Sequence, residues 1–214
     1  ISLAMRGERQ VSAARPRDMM TENGEKPMSN ELAGKRIAFL VANAGVEQVE
    51  LTSPWQAVKD AGGEPVLLAP ERDPVKTVNH DVEPGGSYEP DHAVGDVSAA
   101  DFAGLVLPGG VGNPDKLRLV PEAVAFVKAF AAAGKPIAAI CHGPWTLVEA
   151  DVVAGKTLTS WPSLRTDIRN AGGDWRDEQV VLSPEQGFDL VTSRKPDDLD
   201  AFDKQLVKAF AGAV

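Results

Sequence analysis

The chain of 214 residues carries 31 acidic against 22 basic side chains, a net charge of −9 with its three histidines neutral. That balance argues against a nucleic-acid binder, which needs a basic surface for phosphates. A single cysteine closes no intrachain disulfide, and no apolar run approaches the roughly 18 residues that cross a bilayer, so a cytoplasmic protein without membrane contacts is expected.

Residues 1–30 differ from the rest. They hold Arg6, Arg9, Arg15, Arg17 and Lys26 against Glu8, Asp18, Glu22 and Glu25, with no aromatic residue and no periodic apolar pattern. A flexible tail or a non-native extension is expected there, followed by one α/β domain over 31–214. From residue 36 a regular alternation begins. "RIAFLVAN" (36–43) reads as a strand buried on both faces. "EQVELTSPWQAVKDAGG" (47–63) reads as a helix through Val49, Leu51, Trp55, Val58 and Ala61, bent near Pro54 and closed by a glycine pair. "EPVLLAP" (64–70) is a second strand, and 71–100 an irregular excursion with one hairpin. The rhythm resumes with strand 104–110, helix 121–134, strand 135–140, helix 143–153, strand 156–160 and helix 164–173. A hairpin over 178–194 and an amphipathic helix over 196–213 close the chain. Strands alternating with helices predict a doubly wound, mostly parallel sheet with helices on both faces, and ligands in such sheets sit beyond the carboxyl ends of the strands.

One such end carries the lone cysteine. Cys141 follows the strand "KPIAAI" and precedes a predicted helix, with Ala139 and Gly143 two residues to either side. Strand, one-residue turn and helix is the geometry of a nucleophile elbow, which holds its central residue in a strained conformation. A sulfur there meets the amino end of a helix, which favours thiolate. The histidines are His80, His92 and His142; His80 and His92 are expected at the surface, which leaves His142 as the imidazole for Cys141. Three scattered histidines and one cysteine show no metal-ligand spacing, and no cofactor is expected. Gly110-x-Gly112 is a poor dinucleotide fingerprint because Asn113-Pro114 interrupts the helix that should follow. Gly109 and Gly110, after strand 104–108, offer backbone amides for an oxyanion hole, with the amide of His142 as the other half. Glu47 lies at the end of the first strand, placed to donate a hydrogen bond to the sulfur when protonated, whereas Glu50 reads as a solvated first-turn acid. Trp145 and Trp161 are expected in core packing.

"VEQVEL", "LVLPGG", "PIAAICHGPWTLVEA", "TSWPSLRTDIRNAGG" and "LVTSRKPDDL" together resemble the ThiJ/PfpI superfamily, of class I glutamine amidotransferase-like fold, and within it the PfpI-like branch of intracellular proteases and stress proteins. The resemblance implies a flavodoxin-like α/β sandwich with Cys141 as nucleophile, Glu47 as the carboxyl bonded to its sulfur and Gly110 as an oxyanion-hole donor. It also implies that His142 pairs with the sulfur and that an acid from a neighbouring subunit orients it. That acid falls at Asp115, where the aligned family member has glutamate on a loop one residue shorter. A homodimer or higher homo-oligomer is therefore expected. The implied function is a cysteine-dependent hydrolase, a peptidase/amidase or a deglycase, acting on small carbonyl compounds, peptides or glycated proteins in stress. The alternative is a redox-sensing or holdase-chaperone stress protein whose cysteine is oxidised.

Overall fold

The computed structural model describes residues 30–213, so the expected tail lies outside the described residues apart from Asn30. Among the described residues, twelve strands and six α-helices follow in chain order: β1 (Arg36–Leu40), β2 (Ala44–Glu47), α1 (Gln48–Asp60), β3 (Glu64–Ala69), β4 (Val75–Asn79), β5 (Glu83–Tyr88), β6 (His92–Ala93), β7 (Gly104–Leu107), α2 (Gly112–Leu117), α3 (Pro121–Ala132), β8 (Ile137–Ile140), α4 (Pro144–Glu149), β9 (Thr157–Leu158), α5 (Arg165–Asn170), β10 (Asp174–Trp175), β11 (Val180–Ser183), β12 (Leu190–Ser193) and α6 (Leu199–Ala211). A seven-stranded sheet runs β11-β12-β8-β7-β1-β3-β6. Its pairings are parallel apart from the β11–β12 hairpin.

The continuous apolar runs follow from burial on both faces. In β1, Ala38 and Leu40 face one hydrophobic cluster, with Phe126, Phe130 and Leu147, while Ile37 and Phe39 face the other, with Trp55, Phe202 and Phe210. Successive side chains of a strand point to opposite faces, so a strand between two helix layers has no polar position to spare. Phe39 meets Trp55 of α1 with ring centroids 5.0 Å apart, which fixes α1 on the sheet. The α1 helix runs through Pro54; the missing proline N–H releases the carbonyl of Glu50, four residues earlier.

Three expectations are corrected. The strand expected over 156–160 is the two-residue β9, paired with β10 outside the main sheet. It ends because the next amide, of Thr159, donates to the Thr192 hydroxyl instead of a strand partner. The segment after Gly110 does form a helix, α2, with Pro114 in its first turn, where backbone N–H groups lack intrahelical partners and a proline removes nothing. The excursion 71–100 holds the expected hairpin, β4–β5, but also completes a three-stranded sheet with β2. Its turn places His80 and Asp81 at φ 52° and 65°, as in the primed turns that match strand twist. No helix among the described residues is long and apolar enough to cross a membrane.

Candidate active site

The carboxyl ends of β1, β7 and β8 converge, and the turn after β8 carries Cys141 at φ 60°. A left-handed conformation costs a residue with a Cβ roughly 1–2 kcal/mol, and three hydrogen bonds hold it. The Cys141 N–H donates to the Ser193 carbonyl (3.0 Å), its carbonyl accepts from the Trp161 N–H (2.8 Å), and the Gly143 N–H closes the turn onto Ile140 (2.8 Å). The strained elbow expected from the sequence is present. The helix behind it, α4, is only six residues long and begins at Pro144, so what favours charge on the sulfur is local. The backbone amides of Gly110 and His142 both donate toward it.

The side chain is 5% exposed and has two titratable companions. His142 Nδ1 stands 3.2 Å from Sγ, and the other ring nitrogen, Nε2, faces Ser163 Oγ at 3.4 Å. Trp161 stacks against this imidazole at 5.8 Å and Trp145 tilts against it at 5.7 Å. Trp145 is itself fixed by its Nε1–H donating to Asp167 (2.8 Å). The two tryptophans, expected as core filling, form the walls that orient the histidine. Burial holds the His142 imidazole below its ordinary value, against the opposing pull of the Asp81 carboxylate, so the ring is neutral at pH 7. In the neutral ring that accepts at Nδ1, the proton sits on Nε2, toward Ser163.

The second companion is Glu50 and not Glu47. Helix α1 begins at Gln48 and buries Glu50, Leu51, Pro54, Trp55 and Val58, so the acid read as solvated lies on the inward face. Glu50 Oε2 accepts from the Gly109 N–H (2.9 Å). Its Oε1 has no hydrogen-bond partner among the described residues, and the carboxyl lies beside the Cys141 side chain. Full burial, together with the nearby charge of Glu47, pushes Glu50 up to about 8, which leaves it protonated at neutral pH. Glu47, the last residue of β2, accepts instead from the His80 and Asp81 amides (3.0 Å each) and so ties the β4–β5 turn to the site. The recurrence of Glu50 with Pro54 and Val58 at four-residue steps is the signal that finds it in the sequence. The apolar Val49, counted as inward, is exposed and displaces the register of that reading.

Burial also pushes the Cys141 thiol up, and negative charge on Glu50 would push it further, while the Gly110 and His142 amides pull it down. Burial thus acts against the resting thiolate expected at a helix terminus, and the two amides act for it. An imidazole able to accept the thiol proton stands 3.2 Å away.

Gly110 (φ 79°) keeps its amide directed at the sulfur, whereas the Gly109 amide, expected as a second oxyanion donor, is occupied by Glu50. A Cβ at position 109 would lie 2.4 Å from Glu50 Oε2 and 2.7 Å from the Cys141 Cβ. Gly109→Ala is therefore expected to destabilise the fold by about 1–3 kcal/mol, the cost of overpacking; a denaturant midpoint equal to the parent's would contradict this. Asp115 is exposed on α2, and within the chain it is not among the described hydrogen-bond partners of His142. His80, read as a surface residue, is exposed at the rim of the crevice, and His92 is half-buried in β6 away from it. Among the described residues no three His, Cys, Asp or Glu side chains converge as a metal ion would require.

A crevice of about 240 Å³ opens above the sulfur, lined by Glu47, Glu50, His80, Asp81, Gly110, Cys141, Trp161 and Pro196. It can admit a small carbonyl group or an extended side chain, and Cys141 is among the residues that line it.

Known proteins share this arrangement of sequence. The chain is 40% identical over 172 residues to General stress protein 18 of Bacillus subtilis, covering 80% of this chain and 95% of that one. It is 41% identical over 171 residues to the B. subtilis protein named "Putative cysteine protease YraA", with the same coverage. To Protein/nucleic acid deglycase 2 of Escherichia coli it is 39% identical over 174 residues, covering 81% and 96%. Among solved structures, Drosophila melanogaster DJ-1beta superposes with a TM-score of 0.72 at 29% identity, covering 83% of this chain and 91% of that one. The DJ-1/ThiJ/PfpI-like and ferritin-like two-domain protein of Anabaena variabilis gives 0.73 at 35% identity, covering 81% of this chain and 49% of that one. The model of the DJ-1/PfpI family matches residues 35–209, the span that holds the whole sheet and every residue of the crevice, and the chain belongs to that family.

Proposed function

We propose that the protein is a cysteine-dependent hydrolase of the PfpI type, acting in stress on peptides or on carbonyl adducts of proteins. The single observation that carries this reading is the 3.2 Å contact of Sγ with a neutral, walled-in imidazole beneath an open crevice. Relatives named for a cysteine protease, a deglycase and a general stress protein agree with it.

A thiol raised by burial needs a base at the moment of attack, and His142 is that base. As the sulfur adds to the substrate carbonyl carbon, its proton passes to Nδ1 and the carbonyl electron pair moves onto oxygen. The developing oxyanion rests on the amides of Gly110 and His142, which already face the sulfur. Neutral Glu50 adds no opposing charge and offers its proton as a hydrogen-bond donor. The imidazolium then protonates the departing amine as the carbonyl reforms; water, its proton taken by the freed imidazole, cleaves the resulting thioester and the thiol is restored. In this reading Asp115, exposed on α2, is offered to the His142 ring of a second copy of the chain, while Ser163 holds the same edge within one chain.

A second reading is favoured by one feature: a neutral carboxyl and two amides around a sulfur are also suited to hold the oxygens of a sulfinate, as a redox sensor requires. His142→Ala separates the two. It is expected to lower turnover of fluorogenic peptides or methylglyoxal-modified amino acids by about 10²–10⁴-fold, the usual worth of a general base, while peroxide still oxidises Cys141. Parental turnover in that variant would overturn the hydrolase mechanism, as would the absence of turnover on both substrate classes in the unmodified protein.

A further inference from the structure

The carboxylates of the crevice, Glu47 and Asp81 with Glu50 protonated between them in its lining, have no basic counterpart. Glu47 comes from the end of β2, Glu50 from the first turn of α1, and His80 and Asp81 from the β4–β5 turn; Trp161 and Pro196 complete the wall, with no lysine or arginine among the lining residues. Arg118, which lies over the Trp145 ring at 5.7 Å, is held away by Glu149, to which it donates at 3.0 and 3.1 Å. The nearest basic residue in sequence to Pro196 is Lys195, and its ammonium is paired with Asp197 at 2.9 Å.

Asp81 sits at the mouth of this crevice and is built in from both sides. Its amide donates to Glu47, and its Oδ1 accepts from the Val111 N–H at 2.7 Å, the peptide next to the Gly110 amide that faces the sulfur. Its charge is felt by both His142 and Glu50. The hydrogen bond from Val111 therefore holds this exposed carboxylate beside the path to the nucleophile. The hydrogen bond to Val111 explains why it stays there although φ is +65°.

We infer that Asp81 makes the crevice charge-selective: neutral or cationic carbonyl compounds and basic peptide segments are admitted to Cys141, and electrophiles that carry a carboxylate or sulfonate near the reacting carbon, such as 2-oxo acids, are turned away. The inference rests on the reading of Cys141 as the nucleophile and deepens it by naming the class of substrate. Asp81 acts as a specificity-determining residue through its field on the approaching molecule. A fixed charge several ångströms from a partly solvated site changes the local concentration of a univalent ion by about two- to fourfold, in opposite directions for cation and anion.

The test uses the full-length protein and two methanethiosulfonate reagents of similar size, one bearing a trimethylammonium group and one a sulfonate. Each forms a mixed disulfide with Cys141 and releases methanesulfinate, so turnover is not needed for the readout. The rate ratio, cation over anion, divided by the same ratio for a small free thiol, is expected to be about tenfold or more in the parent. Asp81→Asn keeps an oxygen acceptor for Val111 and removes the charge; it is expected to lower the ratio about four- to sixteenfold. Glu122→Gln, the same change of net charge on the exposed start of α3, is expected to leave it unchanged. A ratio untouched by Asp81→Asn, or lowered as much by Glu122→Gln, would overturn the charge selection while leaving the nucleophile in place. A thiol modified by neither reagent would overturn both. Where Asp81→Asn fails to fold, sodium chloride raised from about 20 mM to about 500 mM in the parent must reduce the ratio by screening; an unchanged ratio would again overturn the proposal.

Discussion

Cys141→Ala is expected to lower turnover on every peptide or carbonyl-adduct substrate by at least about 10³-fold, because the bond-forming atom is gone and the remaining amides and imidazole can only bind. The fold is expected to persist. Alanine keeps the Cβ and therefore the same left-handed strain at φ 60°, and the hydrogen bonds that hold the elbow, to Ser193 and from Trp161, are made by the main chain. The loss of one buried sulfur beside Glu50 and His142 changes stability by about 1 kcal/mol or less, within the range of small core substitutions. Turnover in a purified alanine variant at more than about one per cent of the parental rate would remove Cys141 from the reaction.

The second large effect belongs to Glu50 and depends on pH. The folded-state value of about 8 lies above the ordinary 4.5. Between those pH values the folded protein keeps a proton that the unfolded chain has released, so stability falls as pH rises. Below about 4.5 both states are protonated and the group contributes nothing; above about 8 the whole cost of burying the carboxylate is present, on the order of 3–5 kcal/mol. Glu50→Gln keeps the acceptor for the Gly109 amide and a donor for the sulfur without the titration. It is expected to be the more stable protein at pH 9 by an amount of that order, and close to the parent at pH 4.5. Asp203, also raised by burial to about 6, has the same sign but is present in both proteins and cancels in the comparison. Parallel curves of stability against pH would rule out a buried, late-titrating carboxyl at position 50.

The same ionisation reaches the chemistry. Turnover of the parent is expected to fall above about pH 8, as a charge on Glu50 opposes the charge developing on the sulfur and the oxyanion, and this descending limb is absent in Glu50→Gln. On the acid side both proteins lose activity as His142 becomes protonated and can no longer accept the thiol proton, below its ordinary value of 6.5 because burial lowers it. A descending limb retained by Glu50→Gln would assign it to another group.

The helix register is where reading from sequence and the structure part company. Glu47 and Glu50 stand three apart at the same helix start, and both line the crevice. Which one meets the sulfur depends on where the helix begins and which face the sheet covers. Phe39 against Trp55 and the covered side chains of Leu51, Pro54 and Val58 settle this by turning Glu50 inward. The roles of Trp145 and Trp161 were hidden for a similar reason: an aromatic residue near a nucleophile packs into the core as readily as it walls a histidine, and only the chain path after α4 brings Trp161 back over the ring. Asp81 was invisible because it lies sixty residues from Cys141 in a segment without periodicity.

What the sequence determined by itself was the order of elements and the elbow. Runs such as "IAFL" and "IAAI" are apolar at every position, a pattern that a strand covered on both faces satisfies. A lone cysteine between such a run and Gly143-Pro144 has few other backbone paths open to it. These are local constraints, written in neighbours along the chain. The protonation of Glu50, the neutral imidazole, the occupied Gly109 amide and the acidic lining of the crevice were decided by tertiary structure alone. Each is a consequence of removing water from a group, or of a donor finding a partner far away in sequence, and desolvation and long-range pairing exist only once the sheet has brought β1, β7 and β8 side by side.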